Sequence, residues 1–485
     1  MSETALGALE PAGVWRRFLE LTEIPRPPRG EERAREHVLA WAGANGLAHR
    51  LDAAGNAIVR VPASPGREDA PTVVLQSHLD MVCERDPTSP YDPRAGRLRV
   101  VRDDDWVRAD GTTLGADNGI GVAAAMAVAE DSGVVHGPLE LLFTVCEEEG
   151  LEGAKALDPA LVSGRLLVNL DGSSDDAITV GCAGSAHTFV RLPIAAAAAS
   201  PLNRTVRIAL SGGRGGHSGA DIAKGRANAI EVLGRLLREG HARVPLGLVA
   251  LDGGVSRNAI PREAEALVSV PATAEEALRA ALRRALEEAR AEYAASDDGL
   301  VLAVDRVARA TPAEEGATAR VLGLLDAIPI GVVALSRSVL GAVETSTSLN
   351  VARTEDGVVT LASMTRSAET AGLDEVVGEI ERVALRFGAK VETRRSYPPW
   401  TPAPGSRLLE RARSTYEQLF GVVPSLEVVH GGLECAVIGE KLEGVEMIAL
   451  GPRLEGPHAP GERLSISSTQ RFYRLLGALL DDLSR

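Results

Sequence analysis

Apolar positions in the first third of the chain follow two rhythms. Residues 8–24 and 30–46 are apolar at three- and four-residue spacing and predict helices, parted by the turn Pro25-Arg26-Pro27-Pro28-Arg29-Gly30. Shorter runs at 57–61, 72–79, 139–146 and 166–170 predict strands. The last three are almost continuously apolar and end in acids or histidine. A buried central strand has this form when its C-terminal end carries a site. Between them, 119–129 is rich in Gly and Ala and predicts a tightly packed buried helix. Three strands thus deliver polar residues to one edge of a mostly parallel sheet.

The pattern changes after residue 187. Residues 205–210 alternate like a half-exposed antiparallel strand. A helix at 224–238, a strand at 265–270 and a long charged helix at 273–294 follow, the last with Thr273 and Glu276 spaced as a capping box. Further strands are predicted at 301–307, 348–353 and 358–364, and helices at 313–326 and 373–387. The proline-rich stretch 397–404 predicts a linker, after which helices at 406–419 and 468–483 flank a strand at 445–450. The expected fold is α/β: a discontinuous catalytic domain with a mostly parallel mixed sheet flanked by helices, over 1–186 and 401–485. An α+β lid, antiparallel sheet under helices, is inserted at 187–400.

Composition narrows the options. The 485 residues exceed one ordinary domain. Apolar residues make up 45% and aromatics 3%, so aliphatic side chains and alanine must fill the core. No apolar run is long enough for a membrane helix, and Met1-Ser2-Glu3-Thr4 lacks the basic-then-apolar pattern of a secretory signal. The four cysteines, Cys83, Cys146, Cys182 and Cys435, stand far apart with no CxxC pair. That fits a reducing cytoplasm and argues against a cysteine zinc knuckle. A net charge of −15 argues against nucleic-acid and anionic-membrane partners.

The acids and histidines at the strand ends suggest metal chemistry. In Ser77-His78-Leu79-Asp80, residues two apart share a strand face, so His78 could bind metal while Asp80 fixes its tautomer; the plainer alternative is a solvated strand end. Asp117, in Asp117-Asn118-Gly119, could cap a helix or bridge two metals through its two oxygens. No Lys-Ser/Thr follows the surrounding glycines, which excludes a nucleotide loop. Glu147, Glu148 and Glu149 close an apolar run, where adjacent carboxylates repel unless a cation offsets them; an acidic loop is the alternative. Asp171 ends a further strand, and His458 lies in a loop stiffened by Pro457 and Pro460. Two imidazoles with several carboxylates form the ligand set of a two-zinc hydrolase. His217, in a glycine loop, could stabilise an oxyanion or be merely solvated. Arg366 could grip a carboxylate or pair on the surface. His430 and Cys435 share a site-like loop in which a thiol nucleophile is conceivable, but that reading leaves the acids unexplained. His37, His49, His136, His187 and His241 have no site motif around them.

Taken in order, these segments resemble the aminoacyl-histidine dipeptidases (Xaa-His or cytosol non-specific dipeptidases). This family belongs to the co-catalytic zinc peptidases, which also include carnosinases, tripeptidases and aminoacylases. The likeness spans nearly the whole chain through HLDMV (78–82), DGTTLGADNGIG (110–121), EEEGLEGA (147–154), GGHSG (215–219), RNAIPREA (257–264), VETSTSLN (343–350), HGGLECA (430–436) and GPHAP (456–460). It implies that His78 and Asp171 complete one zinc's shell, that Glu148 and His458 complete the other's, and that Asp117 bridges both, with a cis peptide after Asp117. It further implies Glu147 as general base, Asp80 as the group orienting His78, His217 as the lid's oxyanion donor, and Asn258 and Arg366 as carboxylate-recognition residues. Glu149 stands where the family pattern has a small residue, so the pair Glu147–Glu148 is counted back from Gly150.

The implied reaction is hydrolysis of Xaa-His and other dipeptides in the cytoplasm, with two zinc ions replaceable by manganese or cobalt. A homodimer is left open, with His217 acting in its own chain or across the pair. An N-acyl-amino-acid deacylase on the same scaffold, or a non-catalytic binding protein with this fold, are the competing readings.

Overall fold

The computed structural model describes residues 9–485. The Met1-Ser2-Glu3-Thr4 stretch and the first residue of the helix expected at 8–24 lie outside the described residues. The chain sorts into two compact units: one runs up to Cys182 and resumes over Trp400–Val428 and Leu433–Arg485, and the other comprises Ala183–Pro399 and Val429–Gly432.

The first unit is built on an eight-stranded mixed sheet. Its strand order is Ala48–Leu51, Ala57–Val61, Leu139–Thr144, Val73–His78, Leu166–Asn169, Glu446–Ala449, Ala177–Cys182 and Ser425–Val429. Pairing is parallel at the centre, where Val73–His78 lies between Leu139–Thr144 and Leu166–Asn169, and Glu446–Ala449 joins Leu166–Asn169. It is antiparallel between Ala48–Leu51 and Ala57–Val61, between Ala57–Val61 and Leu139–Thr144, and between Glu446–Ala449 and Ala177–Cys182. Both Val73–His78 and Leu139–Thr144 are buried along their whole length, which explains their unbroken apolar runs: helices or loops cover both faces of a central strand. The helices Ala12–Thr22 and Ala116–Glu130 pack together beside it. In the second of these, every residue from Asn118 to Val128 is buried, as its Gly- and Ala-rich sequence demands.

The second unit is a nine-stranded antiparallel sheet. The main path runs Val301–Val307, Asn203–Ser211, Ala264–Pro271, Gly247–Gly253, Val343–Glu355, Val358–Ser367, Gly184–Pro193 and Lys390–Tyr397, and Gly331–Leu335 adds to Val343–Glu355. The helices Ala229–His241, Glu275–Glu292, Ala317–Ala327 and Thr370–Arg386 supply the apolar core against one face.

Two local expectations need correction. The Thr273–Glu276 capping box does not form. The helix starts at Glu275 after Ala274, with no side-chain cap. Glu276 turns instead to Arg283, and Glu275 is buried and paired with Arg204, Arg279 and Arg306. The helix expected from 224 begins at Ala229, because the Asn228 side chain accepts the backbone N–H groups of Ile230 and Glu231 and so fixes the start there. No described helix is long and apolar enough to cross a membrane, and all four cysteines are free and buried.

Candidate metal centre

The strand ends of the first unit bring five of the expected ligands together. His78 is the last residue of its strand and is buried. Its Nε2 stands 3.0 Å from Oδ1 of Asp117 and 3.7 Å from Oδ1 of Asp171. Nε2 of His458 stands 3.2 Å from the other Asp117 oxygen, Oδ2, and 3.1 Å from Oε2 of Glu148. Asp117 therefore offers one oxygen to each of two imidazoles, and each imidazole has a second acid beside it. One ligand atom from each of His78, Asp117 and Glu148 can be chosen so that all three lie within 4.8 Å of one another. The Asp117–Asn118 peptide is cis.

These side chains are braced from behind. Asp80 is buried beside Nδ1 of His78 at 3.4 Å, and its two oxygens accept the backbone N–H groups of Glu147 and Glu148, both at 3.0 Å. One carboxylate thus orients the imidazole and shapes the turn that carries the acids. Asn118 donates to Asp171 at 2.8 Å and to the Leu170 carbonyl. Glu149 turns outward to Arg29, which leaves Glu147 and Glu148 as the inward pair of the triplet.

Electrostatics shows a centre short of positive charge. Burial drives the Glu147 carboxyl well above the ordinary value, and the neighbouring Glu148, Asp171 and Glu434 add to the rise against the opposing pull of His78. Burial and Asp117 push Asp171 up to about 7. His458 rises to about 11, through its hydrogen bonds to Asp117 and then Glu148. Burial opposes a proton on His78, yet Asp171 and Asp117 hold its pKa well above the ordinary value. Asp117 is driven down despite its burial by those same two imidazoles. The imidazoles here serve as the counter-cations. Oε1 of Glu148 is buried with no hydrogen-bond partner. Two imidazole nitrogens, a two-faced carboxylate and flanking acids are a donor set that suits a pair of divalent cations. Such cations would offset a penalty of roughly several kcal/mol for each buried, unpaired carboxylate.

The sequence reading missed the residues that brace the centre. Glu462 is buried, and its oxygens accept the backbone N–H groups of Leu114, Gly115, Ala116 and Asp117. It lies four residues after His458, and so ties the loop of one ligand to the loop of another. Arg26, fully buried, donates to the carbonyls of Leu79 and Asp80 at 2.8 Å each and to that of Gly115. Below the sheet edge, Oε2 of Glu434 accepts from Gln76 and Thr144, each at 2.6 Å, and Asn169 donates to Gln76. Gln76 shares a strand face with His78, and Thr144 is the register partner of His78, so this network clamps neighbouring strands directly behind the ligands. The closeness of Glu462 to His458 in sequence was the one local signal. Arg26 sat inside what read as a plain turn.

The other expected site residues lie in the second unit. His217 pairs with Ala259 in a short ladder, and its Nδ1 accepts the backbone N–H groups of Gly219 and Ala220. With Nδ1 so occupied, a neutral ring carries its proton on Nε2, which stands 3.4 Å from the Arg366 guanidinium. Arg366 is buried, donates to the Tyr397 hydroxyl at 3.3 Å, and has its Nε without a hydrogen-bond partner. Asn258 is exposed, receives the Ser256 hydroxyl on its side chain, and accepts the Ser218 amide on its carbonyl. The thiol-nucleophile alternative is set aside. Burial, then Cys182 and Glu434, push the Cys435 thiol well above the ordinary value, and Nε2 of His430 is engaged by Ser346.

Comparisons with known proteins cover nearly the whole chain. The sequence pattern of Peptidase family M20/M25/M40 matches residues 74–482. The chain is 37% identical to the cytosol non-specific dipeptidase of Escherichia coli (strain K12), over 100% of this chain and 99% of that protein. It superposes on the crystal structure of an aminoacylhistidine dipeptidase from Vibrio alginolyticus with a TM-score of 0.89, 35% identity and 99% of both chains covered. A tripeptidase structure from Staphylococcus aureus subsp. aureus mu50, at 18% identity and a TM-score of 0.58 over 99% of this chain and 100% of that one, shares the fold.

Proposed function

The chain belongs to Peptidase family M20/M25/M40, and from that premise we propose that it hydrolyses dipeptides at two zinc ions held by His78, Asp117, Glu148, Asp171 and His458. The observation that carries this reading is Asp117, with one oxygen toward His78 and the other toward His458, each imidazole backed by a further acid. Manganese and cobalt suit the same donor set. The names of the Escherichia coli and Vibrio alginolyticus relatives support dipeptides as substrates, with Xaa-His among them, and the first supports a cytoplasmic location.

When bound, the cations supply Lewis acidity, which polarises a scissile carbonyl and makes water nucleophilic near neutral pH. Glu147 takes the proton of the attacking water. Its buried, acid-rich setting raises its basicity toward the working pH. The same carboxyl then gives that proton to the leaving amine. Asp80 keeps Nδ1 of His78 engaged, so that Nε2 faces the ligand side. His217 presents its Nε2 proton to the developing oxyanion. Arg366, with Asn258, takes the C-terminal carboxylate of the substrate.

Metal content and hydrolysis, measured together on wild type and Glu147→Gln, test the reading. The substrates are an Ala-His dipeptide, a dipeptide without histidine and an N-acetyl amino acid. The expected result is two metals per chain and cleavage of both dipeptides, with a loss on the order of 10²- to 10⁴-fold in Glu147→Gln at unchanged metal content. Cleavage of the N-acetyl substrate alone would establish the deacylase instead. A fully loaded wild type inert on all three would overturn the dipeptidase reading in favour of a binding protein or of a different substrate.

A further inference from the structure

The loop that holds His430 has no part in the reaction as derived above, yet four of its residues leave the course of the surrounding chain. Val429, the last residue of the strand Ser425–Val429, and the three residues after it group with the second unit, although the residues on both sides belong to the first. The excursion is anchored at its start, where the Val429 carbonyl accepts the Ala183 N–H at 2.9 Å. It is fitted tightly at its end, where a Cβ on Gly432 would come within 2.6 Å of the Tyr397 ring. Only glycine lets the backbone lie this close to that ring.

The excursion touches the surroundings of Arg366 on several sides. The His430 carbonyl packs on Gly219, where an added Cβ would lie 2.1 Å from that oxygen and 3.1 Å from both Nε of Arg366 and Cε1 of His217. The His430 ring bonds through Nε2 to the Ser346 hydroxyl at 2.7 Å. Ser346 is the register partner of Arg366 across the Val343–Glu355 and Val358–Ser367 pair. Tyr397, pressed by Gly432, receives the Arg366 guanidinium. One loop therefore abuts Gly219, Ser346 and Tyr397, three neighbours of the Arg366–His217 pair. The ring adds no competing charge, because burial, then Arg366 and His217, lower its pKa to about 4.

We infer that His430 is a positioning residue for substrate-carboxylate binding: bonded to Ser346 and packed on Gly219, it fixes the Arg366 guanidinium beside His217. The inference rests on the reading that Arg366 takes the substrate carboxylate, and it assigns His430 no contact with the reacting atoms. A histidine that merely filled space would affect all substrates alike. A residue that aims Arg366 affects only substrates with a free carboxylate.

The test compares a dipeptide with its C-terminal amide on the full, metal-loaded chain. For His430→Leu, KM for the dipeptide should rise about tenfold, with kcat nearly unchanged and the KM of the amide unmoved, so that the preference for the free acid collapses. His430→Gln, which can still reach Ser346, should restore most of that preference, and Ser346→Ala should reproduce the leucine variant without altering the ring. Equal losses on acid and amide, a loss in kcat alone, or no change would overturn the inference. Arg366→Gln separates the two levels of argument. If it leaves the acid-over-amide preference intact, the assignment of Arg366 fails. If it abolishes that preference while folded His430→Gln, His430→Leu and Ser346→Ala all keep it, only the role of His430 fails.

Discussion

Around Asp117, carboxylates outnumber the basic groups beside them, and His78 and His458 hold protons that balance part of the excess. Around Arg366 the neighbours are a hydroxyl, a phenol and two imidazoles. The first cluster is suited to cations and the second to an anion. Their construction differs as well. The acid cluster sits at the C-terminal ends of parallel strands, where acids and imidazoles from distant parts of the sequence meet. The basic cluster lies on the face of an antiparallel sheet, where register alone puts Ser346 and Ser185 opposite Arg366, and a returning loop completes it. A parallel sheet edge gathers residues by topology, whereas an antiparallel face gathers them by register.

The widest separation between the two should come from Asp117→Asn. Losing the charge shared by both halves should abolish hydrolysis and strip metal from the purified chain, as seen by elemental analysis, while the second unit keeps its fold. His217→Ala should do the reverse: kcat should drop on the order of 10²- to 10³-fold with metal content intact, and a parallel loss of metal would show that the two clusters do not act separately.

The acid cluster should also respond to pH in a way the basic one does not. Metal needs neutral imidazoles, and in the metal-free chain His458 keeps its proton up to about 11 and His78 well above its ordinary value. Loading at pH 7 must therefore release protons. Metal affinity should fall about tenfold per pH unit for each proton displaced as pH drops from 8 to 6. Calorimetry in buffers of different ionisation enthalpy checks this, and identical heats in all of them would contradict it. The smallest expected effect belongs to Glu462→Gln. It should weaken metal binding by about tenfold and leave the acid-over-amide preference, a property of the basic cluster, unchanged.

Legibility followed the same division. His78, Asp117, Glu148 and Asp171 could be read because each lies at or just beyond a recognisable element, and His458 because prolines frame it. The roles of Arg26, Glu434 and Glu462 could not be read, although Glu434 lies in the 430–436 segment and Glu462 close to His458, because what they do depends on contacts with loops far away in sequence. In the second unit, the strands Gly184–Pro193, Gly247–Gly253, Gly331–Leu335 and Lys390–Tyr397 escaped notice. The first three begin with glycine and the last is strongly charged, so each is held as a strand by its neighbours more than by its own pattern. The role of His430 was equally hidden, since nothing local shows that residues 429–432 group with a unit built from the middle of the chain.

The position of Glu446–Ala449 inside the first sheet, between Leu166–Asn169 and Ala177–Cys182, sets an order of events during synthesis. A growing chain exposes His78, Asp117, Glu148 and Asp171 while the place between those two earlier strands is still unfilled, and His458 leaves the ribosome later still. The centre therefore closes only after residues 446–458 have emerged, and a ribosome stalled before residue 446 carries an acid-rich half-site in an unclosed sheet.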